Sequence, residues 1–312
     1  MILVVNPNPA LDRVAAVHFR RGATLRPVRF STWAGGSGVH AAHVAHMLGA
    51  EVLVQGFVAG HTGALFRDHL AQDGLAADLV EVPGETRQTY SLLDVAEGNL
   101  CDVAESGPRV PPEAAADLEA RALARIPAAD LLIISGSLPG GCPATLPATL
   151  VRAARAAGVP CIADLAGALL LETLPARPWL IKPSRAEIAD LLGAAPPDLP
   201  DLVPLARQWV TAGVDNVCVS LDALGLLWVT AAGAWHLRAP QVPAFNSIGC
   251  GDTLVGALAA TYVQTRDLAH AVRAGVAAAA ANLQYDAPGH CTPADVAGLI
   301  GQVALEPLAT AA

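Results

Sequence analysis

The chain has 312 residues, of which 53% are hydrophobic and 15% are charged, and its formal net charge at pH 7 is −9. This composition excludes a disordered chain and a coiled coil, and the acidic balance, without a basic run, argues against a nucleic-acid partner or an anionic membrane surface. The length suits two domains, or one large α/β domain with an appendage.

Short apolar runs predict strands that alternate with helical patterns along the chain. The predicted strands are 2–5, 52–55, 131–134, 160–163, 179–181, 217–220 and 226–229. The predicted helices are 41–48, 64–72, 114–124, 146–157, 202–212, 252–266 and 268–284. This alternation predicts an α/β fold with a mostly parallel sheet and helices on both of its faces.

Two segments, 13–33 and 86–104, carry β-type residues that do not fit the alternation. The second contains Glu97-Gly98-Asn99, which we interpret as a hairpin turn. We expect both segments to form a small β-lid, inserted at about residues 12–34 and 85–106 of one domain that covers residues 1–312. Because so small a sheet is unstable alone, a second subunit is expected to cover its exposed face.

The N-terminus shows no export signal, since the first apolar run leads directly into Asn6-Pro7-Asn8-Pro9. Residues 131–151 carry no charge, but their three glycines and three prolines would break a membrane helix. The six cysteines include no C-x-x-C pair, which favours reduced thiols over a zinc site or disulfides. We therefore expect a cytoplasmic protein.

The strongest local motif is the turn Asn246-Ser247-Ile248-Gly249-Cys250-Gly251-Asp252, which leads into a predicted helix. Its glycines let backbone N–H groups converge and the helix dipole adds positive potential, so the turn suits an anion such as a transferring phosphoryl group. Asp252 is placed to accept a proton from a hydroxyl nucleophile. The alternative is an ordinary loop in which Asp252 caps the helix.

A second motif, Ile181-Lys182-Pro183-Ser184-Arg185-Ala186-Glu187, joins a predicted strand to a helix. Lys182 is the single lysine among 19 lysines and arginines, which suggests that a compact ammonium group is needed there. Glu187 is a candidate for holding Mg²⁺ through water, since Mg²⁺ keeps most of its hydration shell in phosphoryl-transfer sites. The alternative is a strand-to-helix turn with surface charges.

A third motif, Ala34-Gly35-Gly36-Ser37-Gly38-Val39-His40-Ala41, opens a helix. Its G-x-G-x-x-A pattern is also typical of a dinucleotide-binding fold. That fingerprint should directly follow the first strand, whereas here about 30 residues separate the two, which argues against such a fold. His40, His43 and His46 span too broad an arc for one tetrahedral metal ion. We interpret these histidines as solvated or at the edge of the core.

In their order and separations the three motifs resemble the PfkB (ribokinase-like) family of sugar kinases, over nearly the whole chain. The segments most similar to the branch containing 1-phosphofructokinase and tagatose-6-phosphate kinase are Asn8-Pro9-Ala10-Leu11-Asp12, Gly84-Glu85-Thr86-Arg87, Ser135-Gly136-Ser137-Leu138-Pro139, residues 164–169 and Ser220-Leu221. The resemblance implies a three-layer α/β/α fold with a mostly parallel sheet, a β-lid over the sugar, and a homodimer formed through the lids. It also implies Mg²⁺-dependent transfer of the ATP γ-phosphoryl group to a sugar hydroxyl.

The same resemblance implies roles for individual residues. Asp252 is the implied general base, with an anion hole made by the backbone of Gly249, Cys250 and Gly251. The residues implied to face the nucleotide and its Mg²⁺ are Lys182, Ser184, Glu187, Ser220, Leu221 and Gly225. The residues implied on the sugar side are Asp12, Gly35, Gly36, Ser37, His40 and Arg87.

Two departures from the family pattern lie on the sugar side, and smaller ones are Ser184, Cys250 and Asp222. Phosphosugar kinases of this branch usually have A-G-G-K-G-x-N, where this chain has Ser37 for the lysine and His40 for the asparagine. We expect the loss of a charge that contacts the sugar phosphate and of an amide that contacts sugar hydroxyls, which weakens phosphosugar binding about ten- to a hundredfold. Arg87 remains available to hold a phosphate with two hydrogen bonds.

The sequence therefore predicts an ATP- and Mg²⁺-dependent sugar kinase, most simply a phosphosugar kinase similar to 1-phosphofructokinase. Two alternatives stay open: a kinase of another acceptor, such as a non-phosphorylated sugar or a nucleoside, and a non-catalytic sugar or nucleotide sensor. Asp252 argues against the sensor, because a protein that only binds has no need of a base.

Overall fold

The computed structural model describes residues 1–96 and 99–308. Two residues of the predicted hairpin turn, Glu97 and Gly98, lie outside the described residues. Among the helices described, none is long and apolar enough to cross a membrane.

The described residues form fourteen strands and ten α-helices. The strands are β1 (Ile2–Val5), β2 (Ala10–Val17), β3 (Arg29–Gly35), β4 (Val52–Val58), β5 (Ala76–Glu81), β6 (Gln88–Asp94), β7 (Leu100–Ala104), β8 (Leu131–Ser135), β9 (Cys161–Asp164), β10 (Leu180–Ile181), β11 (Asn216–Ser220), β12 (Leu226–Thr230), β13 (Gly233–Leu237) and β14 (Leu305–Pro307). The helices are α1 (Ser37–Met47), α2 (Gly60–Gln72), α3 (Pro112–Arg125), α4 (Leu146–Ala156), α5 (Gly167–Thr173), α6 (Arg185–Leu192), α7 (Leu199–Thr211), α8 (Cys250–Thr265), α9 (Leu268–Asn282) and α10 (Pro293–Leu299).

The larger sheet has ten strands in the order β14-β13-β12-β11-β10-β9-β8-β1-β4-β5. Every pair from β5 across to β11 is parallel, whereas β12, β13 and β14 add an antiparallel edge. The predicted α/β fold with a mostly parallel sheet is therefore confirmed. Strands β5, β13 and β14 were not predicted, and they lie at or near the two edges of the sheet.

The buried side chains of β1 show how the sheet separates two helical layers. Ile2 and Val4 pack in a core with helices α1, α2, α8 and α9. Leu3 and Val5 pack in a second core with α3, α4 and α7. Because successive side chains of a strand point to opposite faces, one apolar strand buried on both faces fixes a three-layer arrangement.

A separate four-stranded sheet has the order β3-β2-β6-β7. Its central strand, β2, pairs antiparallel with β3 and parallel with β6. The residues of β2 are mostly buried, whereas every residue of β7 is exposed. Strand β2 of this second sheet is thus protected, whereas the edge strand β7 is open to solvent. Asp12 lies on the protected strand.

Helices α1 and α8 pack so closely at Gly256 that the position has no room for a side chain. A Cβ there would meet the carbonyl oxygen of Ala41 and would lie 2.9 Å from Cβ of Val44. We expect Gly256→Ala to lower the free energy of unfolding by about 1–3 kcal/mol, because the backbones must separate. The measurement is equilibrium unfolding in urea.

The control for that variant is Gly298→Ala, since a Cβ at Gly298 in α10 would meet no atom within 4 Å. Alanine is the better helix former, so this variant should raise the free energy of unfolding by up to about 1 kcal/mol. Equal unfolding free energies for both variants would show that the α1–α8 contact is not tight.

Candidate active site

Four neighbouring strands of the larger sheet end at a common cavity. The residues at or just beyond the carboxyl ends of β8, β9, β10 and β11 that line it include Gly136, Asp164, Lys182 and Ser220. The cavity has a volume of about 1090 Å³. This is the edge at which open parallel sheets bind their ligands.

The glycine-rich turn supplies one wall of the cavity through Cys250, Gly251 and Asp252. Gly249 precedes α8 in a left-handed conformation with φ of 74°. A Cβ on Gly249 would lie 2.5 Å from the amide nitrogen of Gly289, so only glycine fits. No side chain of the described residues caps α8, which leaves its first N–H groups available to an anion.

Asn282, at the end of α9, holds this turn in place and was missed by the sequence analysis. Its Nδ2 donates to the carbonyl oxygen of Ile248 at 2.8 Å and contacts Sγ of Cys250 at 3.3 Å. Its Oδ1 accepts from the hydroxyl of Thr253 and from the amide of His290. The available signal was a lone amide at the end of a helix made largely of alanine.

Lys182 and Asp164 form a buried ion pair, with 3.1 Å between Nζ and Oδ1. Burial alone would lower the pKa of Lys182, but the carboxylates of Asp164, Glu187 and Asp252 outweigh it and raise the pKa. Burial raises the pKa of Asp164 to about 6, against the opposing effect of Lys182. One ammonium group therefore faces three carboxyl groups in this part of the cavity.

Ser184 and Glu187 line the cavity and also cap α6. The Ser184 hydroxyl accepts from the amide of Glu187 at 3.1 Å, and Glu187 Oε2 accepts from the amide of Ser184 at 2.7 Å. The S-x-x-E spacing is the signature of this capping box. Oε2 of Glu187 thus caps the helix, and no hydrogen bond within the described residues engages Oε1.

The residues near the end of β11 that were predicted to face the nucleotide do not all line the cavity. Ser220 and Gly225 line the cavity, whereas Leu221 is buried beneath it. A Cβ on Gly225 would meet the carbonyl oxygen of Leu237, which requires glycine there. Asp222 also lines the cavity, in a left-handed conformation with φ of 53° that non-glycine residues seldom adopt.

The sugar-side residues gather around β2 of the second sheet. Asp12 lies so close to Gly35 that a Cβ on the glycine would collide with its carboxylate. Gly36 precedes α1 with φ of 95°, and Ser37 at the start of α1 lines the cavity. Arg87 Nε donates to the carbonyl oxygen of Asn8 at 3.0 Å, which fixes the guanidinium beside the same strand.

His40 joins the sugar side to the glycine-rich turn. Its Nδ1 is hydrogen-bonded to Oδ2 of Asp252 at 2.8 Å. Its Nε2 lies 2.8 Å from Oδ2 of Asp12, as an ion pair outside hydrogen-bond geometry. Burial lowers the pKa of His40, but the two carboxylates outweigh burial and raise it to about 10. The expectation of a solvated or core-edge histidine is wrong at this position.

The predicted site residues therefore come together at one end of the larger sheet. Those lining the cavity are Ser37, Lys182, Ser184, Glu187, Ser220, Gly225, Cys250, Gly251 and Asp252. Those that contact or support this lining from outside are Asp12, Gly35, Gly36, His40, Arg87, Leu221 and Gly249. Among the described residues, no group of three or more His, Cys, Asp or Glu is placed to hold a metal ion directly.

Comparisons with known proteins agree with this geometry. The profile of the pfkB family carbohydrate kinases matches residues 9–295. The 1-phosphofructokinase of Escherichia coli strain K12 is 29% identical over 309 residues, 98% of each chain. The 1-phosphofructokinase of Haloferax volcanii is 33% identical over 280 residues, 88% of each chain.

A solved structure of phosphofructokinase-2 from Escherichia coli in complex with substrates and products is 27% identical and superposes with a TM-score of 0.88. The match covers 97% of this chain and 99% of that chain. The same enzyme has also been solved in a tetrameric inhibited form. The resemblance found in the sequence is confirmed, and the chain belongs to the pfkB family of carbohydrate kinases, ATP-dependent phosphotransferases that act on a hydroxyl of a sugar or sugar phosphate.

Proposed function

We propose that this protein is a phosphosugar kinase of the 1-phosphofructokinase type, with Asp252 as the base that accepts the proton of the acceptor hydroxyl. One observation carries the proposal. Asp252 lies on the cavity wall in the first turn of α8, and His40 connects it to Asp12 on the sugar side. A carboxylate in this place can meet both an acceptor hydroxyl and the arriving γ-phosphorus.

The amides of Gly249, Cys250 and Gly251 are proposed to stabilise the transferring phosphoryl group. They belong to a helix end that the described side chains leave uncapped, at the cavity wall. Fixed N–H groups in a site that excludes water stabilise developing negative charge without having to reorient. Asn282 supports this function by holding the turn through Ile248.

Lys182 is proposed to neutralise the nucleotide phosphates. Its raised pKa keeps the ammonium group charged at neutral pH. Asp164 holds it at 3.1 Å, so the cation is fixed before the nucleotide arrives. Ser184, Ser220, Leu221 and Gly225 are proposed to complete the nucleotide side.

The donor set fits an Mg²⁺ ion held through water rather than by a cage of side chains. Three carboxyl groups, those of Asp164, Glu187 and Asp252, act on the single ammonium group of Lys182, so a divalent cation would offset the negative charge that ATP adds to this part of the cavity. Glu187 keeps Oε1 free for a metal-bound water. When bound, the ion would neutralise charge on the phosphates of the nucleotide.

Arg87 is the proposed partner of the acceptor's phosphate, and Ser37 lies at the start of α1 on the same sugar side. Arg87 is half-buried, and burial lowers its pKa against the opposing effect of Asp12. A guanidinium group binds phosphate with two parallel hydrogen bonds. The loss of lysine at position 37 leaves this part of the site with fewer cations than the family pattern supplies, which is why the acceptor must be tested across phosphorylated and non-phosphorylated sugars.

The second sheet is proposed to act as a lid and as the interface of a homodimer. Strand register places Phe30, Tyr90 and Val103 on one face, and all three are exposed apolar or aromatic side chains. An apolar face on an otherwise open sheet is the kind of surface that a second copy of the chain covers. The expected cytoplasmic location stays a prediction.

The base assignment predicts the effect of Asp252→Asn, which keeps the size of the side chain and removes its ability to accept a proton. We expect kcat to fall about 10²–10⁴-fold, with the KM for ATP changed only a few-fold. The measurement is ADP release with fructose 1-phosphate, tagatose 6-phosphate, unphosphorylated sugars and nucleosides. The control is Asp190→Asn on the exposed side of α6.

Retention of activity by Asp252→Asn would remove Asp252 as the base. If the wild-type protein released no ADP with any of these acceptors, the non-catalytic sensor would replace the kinase as the function.

The acceptor assignment predicts the effect of Ser37→Lys, which restores a cation at the start of α1. We expect the KM for a phosphorylated acceptor to fall about tenfold, because a hydrogen bond to a charged group contributes about 1.5–3 kcal/mol. The KM for an unphosphorylated sugar should not fall. Efficient use of sugar phosphate by the wild type, with no gain in Ser37→Lys, would show that Arg87 and its neighbours suffice.

The interface assignment predicts that Tyr90→Glu shifts the protein from dimer to monomer, because it buries a charge in an apolar contact. Sedimentation velocity at micromolar concentration measures the change. Leu192→Glu, at an exposed leucine on α6 outside the second sheet, is the matched control and should remain dimeric. A dimer that survives Tyr90→Glu would contradict an interface on this face.

A further inference from the structure

We propose that His40 is a positioning residue of this kinase, an imidazolium that ties the sugar-side carboxylate of Asp12 to the base Asp252. The proposal rests on the function proposed above and adds a residue that the reaction leaves chemically unchanged. His40 would act through the two carboxylates and not by contact with the reacting atoms.

Two carboxylates beside the ring favour its charged form. Nδ1 lies 2.8 Å from one carboxylate oxygen and Nε2 lies 2.8 Å from another. A neutral imidazole carries one N–H and presents a lone pair on its other nitrogen, which would face an anion at close range. Only the imidazolium has no lone pair on either nitrogen, so it is the form that suits a hydrogen bond to Asp252 and an ion pair with Asp12 at the same time.

The surroundings give His40 no route to solvent or substrate. Its side chain is 6% exposed, and Nε2 is fully buried. The loop after α9 closes over it, since a Cβ on Gly289 would lie 2.6 Å from Cβ of His40. A buried cation is stable only when it is paired, and here two anions supply the pairing.

Within the described residues, charged and titratable groups on β2, α8 and α1 itself lie near His40. Asp12 faces it from β2 and Asp252 from α8, while His43 lies one turn further along α1. The pKa of His43 is lowered, first by burial and then with a contribution from charged His40.

The contact also selects which oxygen of the base serves the reaction. His40 occupies Oδ2 of Asp252, and no other contact within the described residues engages Oδ1. Oδ1 is thus the oxygen proposed to take the proton. As the acceptor's O–H bond breaks, that proton moves to Oδ1, the acceptor oxygen bonds to the γ-phosphorus, and the bond from this phosphorus to ADP breaks.

The pKa of about 10 defines a pH window for stability. Because the pKa of His40 in the folded protein lies above the ordinary value of 6.5, the ion pairs stabilise the fold fully below pH 6.5. Their contribution falls as the pH rises and is lost as the pH passes through 10. The charge of His40 should therefore be constant across the range in which the enzyme is assayed.

The direct test is ¹⁵N NMR of the histidine rings in the whole protein between pH 6 and pH 9. We expect one histidine, absent from the spectrum of His40→Asn or His40→Gln, to show two protonated ring nitrogens over the whole range. The fully exposed His61 serves as the reference for a solvated imidazole. A neutral tautomer of His40 at pH 7.5 would overturn the proposal, and this measurement on the wild type holds even if the variants fail to fold.

Kinetics separate a positioning role from a purely structural one. His40→Leu should lower kcat/KM for the sugar about 10–100-fold while the KM for ATP changes less than threefold, and His40→Gln, which restores an N–H donor, should recover part of the loss. His40→Gln should lower kcat/KM for the sugar less in the Asp12→Asn variant than in the wild type, because the two residues act as one unit.

The outcomes distinguish the two proposals. If Asp252→Asn is inactive but His40→Leu and His40→Gln keep wild-type kcat and sugar KM, the role of His40 fails and the base assignment stands. If Asp252→Asn is active, the proposed function itself fails.

Discussion

The site depends on the pairing of buried charges at the carboxyl edge of the larger sheet. An unpaired ion in the interior costs several kcal/mol, so each buried cation here needs an anion on a neighbouring element. Asp164 at the end of β9 pairs with Lys182 after β10, and His40 on α1 pairs with carboxylates on β2 and α8. These pairs fix groups from distant parts of the chain in one place before any ligand binds.

Much of the fold could be predicted because the core strands are short, apolar and buried on both faces. The predicted helix 146–157 agrees with α4 to within one residue, and 268–284 agrees with α9 to within two. Helix α1 begins at Ser37, four residues before its predicted start, because its first turn contains serine and glycine, which are weak helix formers. Strand β13 contains a glycine and a histidine and has partly exposed positions between its two buried residues, so no continuous apolar run reveals it.

The site was predictable where a motif is local and not where it depends on packing. The glycine-rich turn and Lys182 are recognised from contiguous residues. The ion pair between His40 and Asp252 joins residues 212 apart in the sequence, and no local pattern indicates it. The sequence alone shows only that His40 replaces the asparagine of the family pattern. In the folded protein it is a buried cation. Asn282 was missed for the same reason.

Asp252 and the amides of the preceding turn are proposed to lie together at the point where the phosphoryl group is transferred. A crystal structure with fructose 1-phosphate and a non-hydrolysable ATP analogue tests it most directly. The claim predicts a sugar hydroxyl within about 2.6–3.2 Å of an Asp252 oxygen, with the terminal phosphate facing the Gly249–Gly251 amides. A terminal phosphate seated away from α8, or a reactive hydroxyl directed at a different base, would contradict it.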